Sequence, residues 1–234
     1  MKLAVYYYGL VRTLLHTIES HRQYLHSQYD CDIFFHFWTL KDSSTGWQTV
    51  TNVDQPEFSS DELQHIIDSL HPTRHTFESY KEKRHGIYAL ADKFDNTTQR
   101  YNAKNTISGW YSSYMSKNLV LSHMKETNIV YDAVLRIRPD TELLKSVEIT
   151  IPEEKTVIIP NVQKFPINDQ IALGTPITMD IYSNLYTTIL DTSVNQTNYN
   201  LHPEKALERH LQKNDIKIVE SNFIEYKLLK TITG

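Results

Sequence analysis

The sequence predicts a single α/β domain: a mostly parallel central sheet flanked by helices, Rossmann-like, with an irregular C-terminal half. Three observations lead there. Strand-length apolar runs alternate with segments of helical periodicity through the first part of the chain, the pattern of a doubly wound sheet. A long helical pattern then runs directly into the buried-looking strand Ala133–Ile137. Beyond Asp140 the elements shorten and prolines punctuate them.

Leu3–Tyr8 reads as the first strand and Gly9 as a tight turn after it. From Thr13 to about Gln28, Leu14, Leu15, Ile18, Arg22 and Leu25 recur near helical spacing, so a helix follows. Asp32–Phe37 is a second strand leading into Trp38, and strand, helix, strand in this order implies a right-handed parallel crossover. Leu40–Pro56 is a polar loop with Gly46 and Trp47; Ser59 or Ser60 then caps a helix carrying Leu63, Ile66, Ile67 and Leu70 on one face. Thr73–Phe77 is the third strand, and the charged, weakly periodic Lys81–Arg100 is expected to be a mobile surface segment. Asn102–Thr127 is the longest helical pattern, despite Gly109.

After the central strand, Val147–Ile151 and Thr156–Ile159 are strand-like, Asn168–Gly174 is a polar corner followed by a short strand and Ile177–Leu190 is one helix. Pro203 opens a further helix at its first turn, Ile216–Val219 is the last strand, and the remainder packs or frays. The economical division is one domain over 1–234, with 1–140 as a nucleotide-binding half and 141–234 as a sugar- or acceptor-binding half.

Composition excludes several classes. A net charge of −4 is wrong for a protein that holds nucleic acid by bulk positive charge. The single cysteine, Cys31, permits neither an intrachain disulfide nor a cysteine-based zinc site, and is expected to be a small buried hydrophobe. The N-terminal apolar stretch is too short for a signal peptide and nothing is long enough to span a membrane, so the expectation is a cytoplasmic protein with at most peripheral membrane contact. The sequons at Asn96 and Asn195 are then chance matches.

Chemistry concentrates at the strand ends, where open α/β sheets bind ligands. Arg136, Arg138 and Asp140 recur at the two-residue period of a strand, which would set two guanidinium groups and a carboxylate on one side as Pro139 ends the ladder, behind an exposed-looking Tyr131–Asp132 pair. A structural ion pair closing the turn is the plainer reading. Gly9 lets backbone approach a ligand, Arg12 near a helix start could hold phosphate, and Trp38 ends the second strand. Asn105, Ser108, Ser112 and Ser116 form a small polar stripe suited to a base, a ribose or neighbouring backbone, or equally to helix packing.

Taken together, Tyr7–Tyr8–Gly9 with Arg12, Phe35–Trp38, Asn102–Tyr114, Tyr131–Asp140, Asn168–Gly174 and His202–Leu211 stand in an order that resembles the nucleotide-sugar glycosyltransferases of the GT-A fold. The chain is similar in particular to small bacterial and viral enzymes with Arg–Pro–Asp in place of Asp–x–Asp, with Arg138 at the first Asp position and Asp140 at the second. The resemblance implies transfer of a sugar from a nucleotide-diphosphate-sugar donor to a hydroxyl of a glycan, glycolipid or glycoprotein, as in polysaccharide biosynthesis. It implies a diphosphate held at Asp140 through Mn²⁺ or Mg²⁺ with an arginine contributing, or directly by Arg136 and Arg138. Tyr8, Gln170 and the strand-end residues above would line the donor site, Asp169 would face the sugar, Glu204 or Asp169 would serve as base, and His202 is a second candidate metal ligand. Two other classes stay open at this point: a sugar nucleotidyltransferase, for which Tyr8–Arg12 is poor in glycine, and a non-catalytic carbohydrate- or nucleotide-binding module.

Overall fold

A computed structural model describes residues 1–41, 55–94, 103–162, 165–195 and 201–229. Gly46, Trp47, residues 95–102 and residues 196–197 of the second sequon lie outside that set.

Strands β1 (Lys2–Leu10), β2 (Asp30–Trp38), β3 (Arg74–Glu78) and β4 (Ala133–Ile137) run parallel, in the order β3-β2-β1-β4. The sheet continues through β7 (Ile171–Gly174), β6 (Thr156–Pro160) and β8 (Lys217–Ser221) to seven strands among the described residues. Strand β7 is antiparallel to both neighbours, while β6 and β8 run parallel to each other. A two-stranded antiparallel ladder, β5 (Thr141–Leu143) with β9 (Tyr226–Leu228), sits beside the main sheet.

Both faces of the sheet are covered, and β1 shows why its sequence is apolar throughout: Ala4 and Tyr6 enter one core, Leu3, Val5 and Tyr7 the other. The first core lies under α3 (Tyr80–Ala91), α4 (Ala103–Thr127), α5 (Pro176–Ser183), α6 (Leu185–Asn195) and α7 (Pro203–Lys213). The second lies under α1 (Leu14–His21) and α2 (Ser60–Leu70), with Phe223, Ile224 and Tyr226 closing it. Helix α2 starts at a complete capping box, Ser59 Oγ accepting from the Glu62 N–H while the Glu62 carboxylate accepts from the Ser59 N–H.

Several expectations are corrected. The first part of Lys81–Arg100 belongs to an ordinary helix of 12 residues, α3 (Tyr80–Ala91), which Ser79 caps at the Glu82 N–H and which buries Tyr80, Ile87, Leu90 and Ala91. The expected helix to Gln28 ends at His21 and widens into a π-turn over Arg22–His26, which brings His26 Nε2 to 3.0 Å from Tyr7 Oη. Ile177–Leu190 is two helices broken at Asn184, whose side chain meets Asp180 and the buried ammonium of Lys117. Val147–Ile151 joins no sheet; it is tied by single backbone bonds to Tyr24 and Phe223. Tyr131 is buried, donating to Asp32 at 2.7 Å, and Cys31 is only half-buried. Within the C-terminal remainder, Tyr226–Leu228 form β9.

No described helix is long and apolar enough to cross a membrane.

Candidate functional site

Topology assembles one edge of the sheet. Parallel β1, β2 and β4 all end there, and antiparallel β7 begins there, with Ile171 opposite Ile137. The residues just before β7, Asn168–Asp169–Gln170, therefore stand beside the residues just after β4, Arg138–Pro139–Asp140. The β1–β4 register, which pairs Tyr7 with Ile137, adds Tyr8 to the same edge. The N-terminus of α7 completes it with His202 and Glu204: the Glu204 carboxyl feels both Asp169 and Arg138.

Arg138 and Asp140 form a bidentate pair, Nε donating to Oδ1 at 2.9 Å and Nη2 to Oδ2 at 2.5 Å. Arg12 Nη1 lies 3.6 Å from Asp140 Oδ2. The Asp140 side chain is 1 % exposed, against 24 % for Arg138 and 31 % for Arg12. Burial alone would raise the Asp140 pKa, but Arg138 and then Arg12 outweigh it and hold the carboxyl below its ordinary range. Asp140 in turn raises the Arg138 pKa against the effect of burial. Arg12 is presented by constrained backbone. Gly9 (φ 96°) and Arg12 (φ 51°) bracket the β1–α1 turn in the left-handed region, and a Cβ on Gly9 would meet nothing within 4 Å. The turn is open on that side.

Arg136 takes a different position from its neighbour. It is 2 % exposed, its guanidinium 3.7 Å from the centroid of the Tyr8 ring, 4.7 Å from Trp110 and 5.4 Å from Tyr182. Its Nε donates to Ser113 Oγ at 3.0 Å and its Nη1 to the Asp169 carbonyl, which also accepts from Tyr8 Oη at 3.3 Å. Arg136 thus fixes the Asp169 corner from beneath and contributes a positive charge there; the expected single row of Arg136, Arg138 and Asp140 ends with the strand.

Other expected donor-site residues make contacts within the protein. Trp38, 1 % exposed, stacks on Tyr111 at 5.4 Å inside the core. Ser112 is fully buried: its Oγ accepts from the Gly9 N–H at 2.7 Å, donates to the His36 carbonyl at 2.8 Å, and lies 2.8 Å from His36 Nδ1. Ser116 joins the Tyr7 carbonyl and the His36 N–H in the same way, so the serine stripe sews α4 to β1 and β2. Gln170 is buried and accepts from Tyr226 Oη at 2.9 Å, while Asn168 Nδ2 donates to the same hydroxyl at 2.7 Å. Ser108 is buried and donates to the Asn105 carbonyl, and Asn105 is half-buried at the N-terminal part of α4. Tyr226 went unseen in the sequence because its place depends on β9 pairing with β5, a contact some 85 residues apart in the chain.

Glu204 is the group with unusual acidity. Burial first, then the nearby Asp169 carboxylate, push its pKa up to about 7, with Arg138 pulling the other way. Its side chain is 19 % exposed, and its Oε2 lies 3.0 Å from His202 Nδ1. A carboxyl shifted towards neutrality beside a guanidinium group and a second carboxylate is suited to moving a proton at this strand-end edge.

The donor set does not fit a divalent cation at Asp140. Both of its oxygens already accept from Arg138, and an ion placed on them would face two guanidinium groups at contact distance. His202 is turned towards Glu204. No group of three His, Cys, Asp or Glu side chains arranged to hold a metal occurs among the described residues.

Comparison of the sequence with protein-family models and with curated proteins finds no match.

Proposed function

We propose that the protein is a GT-A-type glycosyltransferase that moves a sugar from a nucleotide-diphosphate-sugar to a hydroxyl of a glycan, glycolipid or glycoprotein acceptor. One observation carries the reading. The Arg138–Asp140 pair with Arg12, the Asp169 corner and the near-neutral carboxyl of Glu204 converge on one strand-end edge, although they come from four separate parts of the chain. The strand order, four parallel strands with the switch between β1 and β4 and an antiparallel β7 beside β4, supports a fold of that kind.

In this reading the diphosphate lies against Arg138 and Arg12, whose charge stabilises it as it departs with the bonding electron pair. Asp169, its backbone fixed by Arg136 and Tyr8, accepts hydrogen bonds from sugar hydroxyls. The acceptor oxygen forms its bond to the anomeric carbon as the bond to the phosphate oxygen breaks, and its proton passes to Glu204.

A panel of UDP-, GDP-, CMP- and dTDP-sugars tests this by thermal shift and by release of the nucleotide. One of them is expected to raise the melting temperature and to be consumed when a hydroxyl acceptor is supplied. A panel in which no nucleotide-sugar changes the melting temperature sinks the proposal.

A further inference from the structure

We infer that this edge binds the donor diphosphate without a divalent cation, the guanidinium groups of Arg138 and Arg12 taking the place of the metal and Asp140 acting as the residue that positions them. The inference rests on the transferase reading and sharpens it.

Three features support it. Asp140 is already engaged by cationic side chains: its two oxygens accept the Arg138 fork at 2.9 and 2.5 Å, and Arg12 stands 3.6 Å away. The pair uses only Nε and Nη2 of Arg138, which leaves Nη1 outside it, and a guanidinium held at one edge by a carboxylate presents its remaining donors in a fixed direction. Charge placement also favours an anion beside the arginines. Arg12, Arg136 and Arg138 share this edge with the carboxylates Asp140, Asp169 and Glu204, and Asp140 lies buried behind Arg138 and Arg12. A diphosphate set against Arg138 and Arg12 meets two guanidinium groups, which would repel a divalent cation in the same place. The left-handed backbone at Arg12, a conformation a β-carbon disfavours, is what brings its side chain back over the strand end, and the turn is open above Gly9.

Isothermal titration of UDP, GDP, CDP, dTDP and ADP, each in EDTA and again in Mn²⁺, separates the possibilities. At least one nucleoside diphosphate is expected to bind in EDTA with a Kd within about threefold of its value in Mn²⁺, because the charge is supplied by guanidinium groups. In EDTA, Arg138→Ala and Arg12→Ala should each weaken it by about tenfold or more, and Arg138→Lys should recover only part of the loss, since an ammonium lacks the fork. Asp140→Asn is the discriminating variant. A residue that merely ligated a metal would leave binding in EDTA unchanged, whereas a positioning residue lowers it there by about fivefold or more. Melting curves check that each variant is folded, and Arg12, on a half-exposed turn, provides a test should the buried pair not tolerate change. Binding that appears only with Mn²⁺ overturns the inference and leaves the transferase reading standing. Binding of no nucleotide under either condition overturns both. Folded arginine variants that bind as tightly as the parent overturn the assignment of these side chains.

Discussion

Arg138 grips both oxygens of Asp140, and that one bidentate contact decides how the whole strand-end edge is charged. The carboxylate is buried and the two arginines around it are partly exposed, so Asp140 acts as an inner counter-ion for groups that look outward.

Removing Asp140 therefore should cost more than removing a surface ion pair. Asp140→Asn removes the buried counter-charge of the half-buried Arg138, and a loss of about 2 kcal/mol in urea unfolding at pH 7 is expected. The sign with pH follows from the depressed carboxyl pKa: the contribution is present above the ordinary value of 3.8 and is lost as pH falls through the lower folded value. The difference between parent and variant should accordingly shrink below pH ~4. Replacing both partners, Arg138→Met with Asp140→Leu, should restore most of the stability while abolishing nucleotide binding. A double variant as unstable as the single one would count against this account.

The second prediction concerns the π-turn. Tyr7 Oη lies 2.7 Å from His21 Nδ1 and 3.0 Å from His26 Nε2, and His21 Nε2 lies 2.5 Å from the Thr141 carbonyl that follows the strand exit. Burial lowers the His21 pKa to about 4 and, with His21 and Arg22 adding repulsion, the His26 pKa to about 3. Both folded values lie below the ordinary 6.5, so the unfolded chain binds more protons and stability is lost as pH falls from 6.5 towards these values. The fall approaches ~1.4 kcal/mol per pH unit for each proton taken up. His26→Gln keeps a hydrogen-bonding group beside Tyr7 but cannot titrate, and its unfolding free energy between pH 6 and 4 should slope less steeply than the parent's. Equal slopes would rule out His26 as a source of acid sensitivity.

The fold was legible wherever local pattern and burial agree. The apolar runs of β1 and β2, the cap at Ser59 and the proline after Ile137 each locate an element within a residue or two. What escaped was set by partners distant in sequence. Strand β5 has three residues and exists only because Tyr226–Leu228 returns to pair with it. The break at Asn184 depends on Lys117 from α4 reaching Asp180 and Asn184 at 2.6 and 3.1 Å. In the site, the residue types at the strand ends were readable, but their division into outward-facing and supporting groups was not. Ser112 and Gln170 spend their polar atoms on backbone and tyrosine groups, and Trp38 stacks on Tyr111, contacts that the sequence does not show.

Gly9 offers a third test, of backbone alone. Its φ of 96° is costly for any residue with a β-carbon, yet nothing lies within 4 Å of where that carbon would stand. Gly9→Ala should lower stability by about 1–2 kcal/mol through the dihedral cost without steric disruption of the core. Gly9→Val, β-branched, should cost more, and a variant with unchanged unfolding free energy would mean that the turn relaxes freely.

Glu204 makes the sharpest prediction, because stability and catalysis should move in opposite directions. Its folded pKa of about 7 lies above the ordinary 4.5, so keeping the carboxyl ionised costs the folded state stability. No cost arises below pH 4.5; it grows as pH rises to 7 and is fully present above that. Glu204→Gln should therefore raise unfolding free energy at pH 8 by about 1–2 kcal/mol, allowing for the group's partial contact with water, and the gain should vanish near pH 4. For transfer the ionised form is the useful one: the rate should rise with pH through about 7, where the carboxyl becomes able to take the acceptor proton. In Glu204→Gln that limb should disappear and turnover fall by about 10²–10⁴-fold, while nucleotide binding stays within about twofold of the parent's. A variant that is more stable at pH 8 yet turns over at the parent's rate would show that Glu204 sits at the edge without acting as its base.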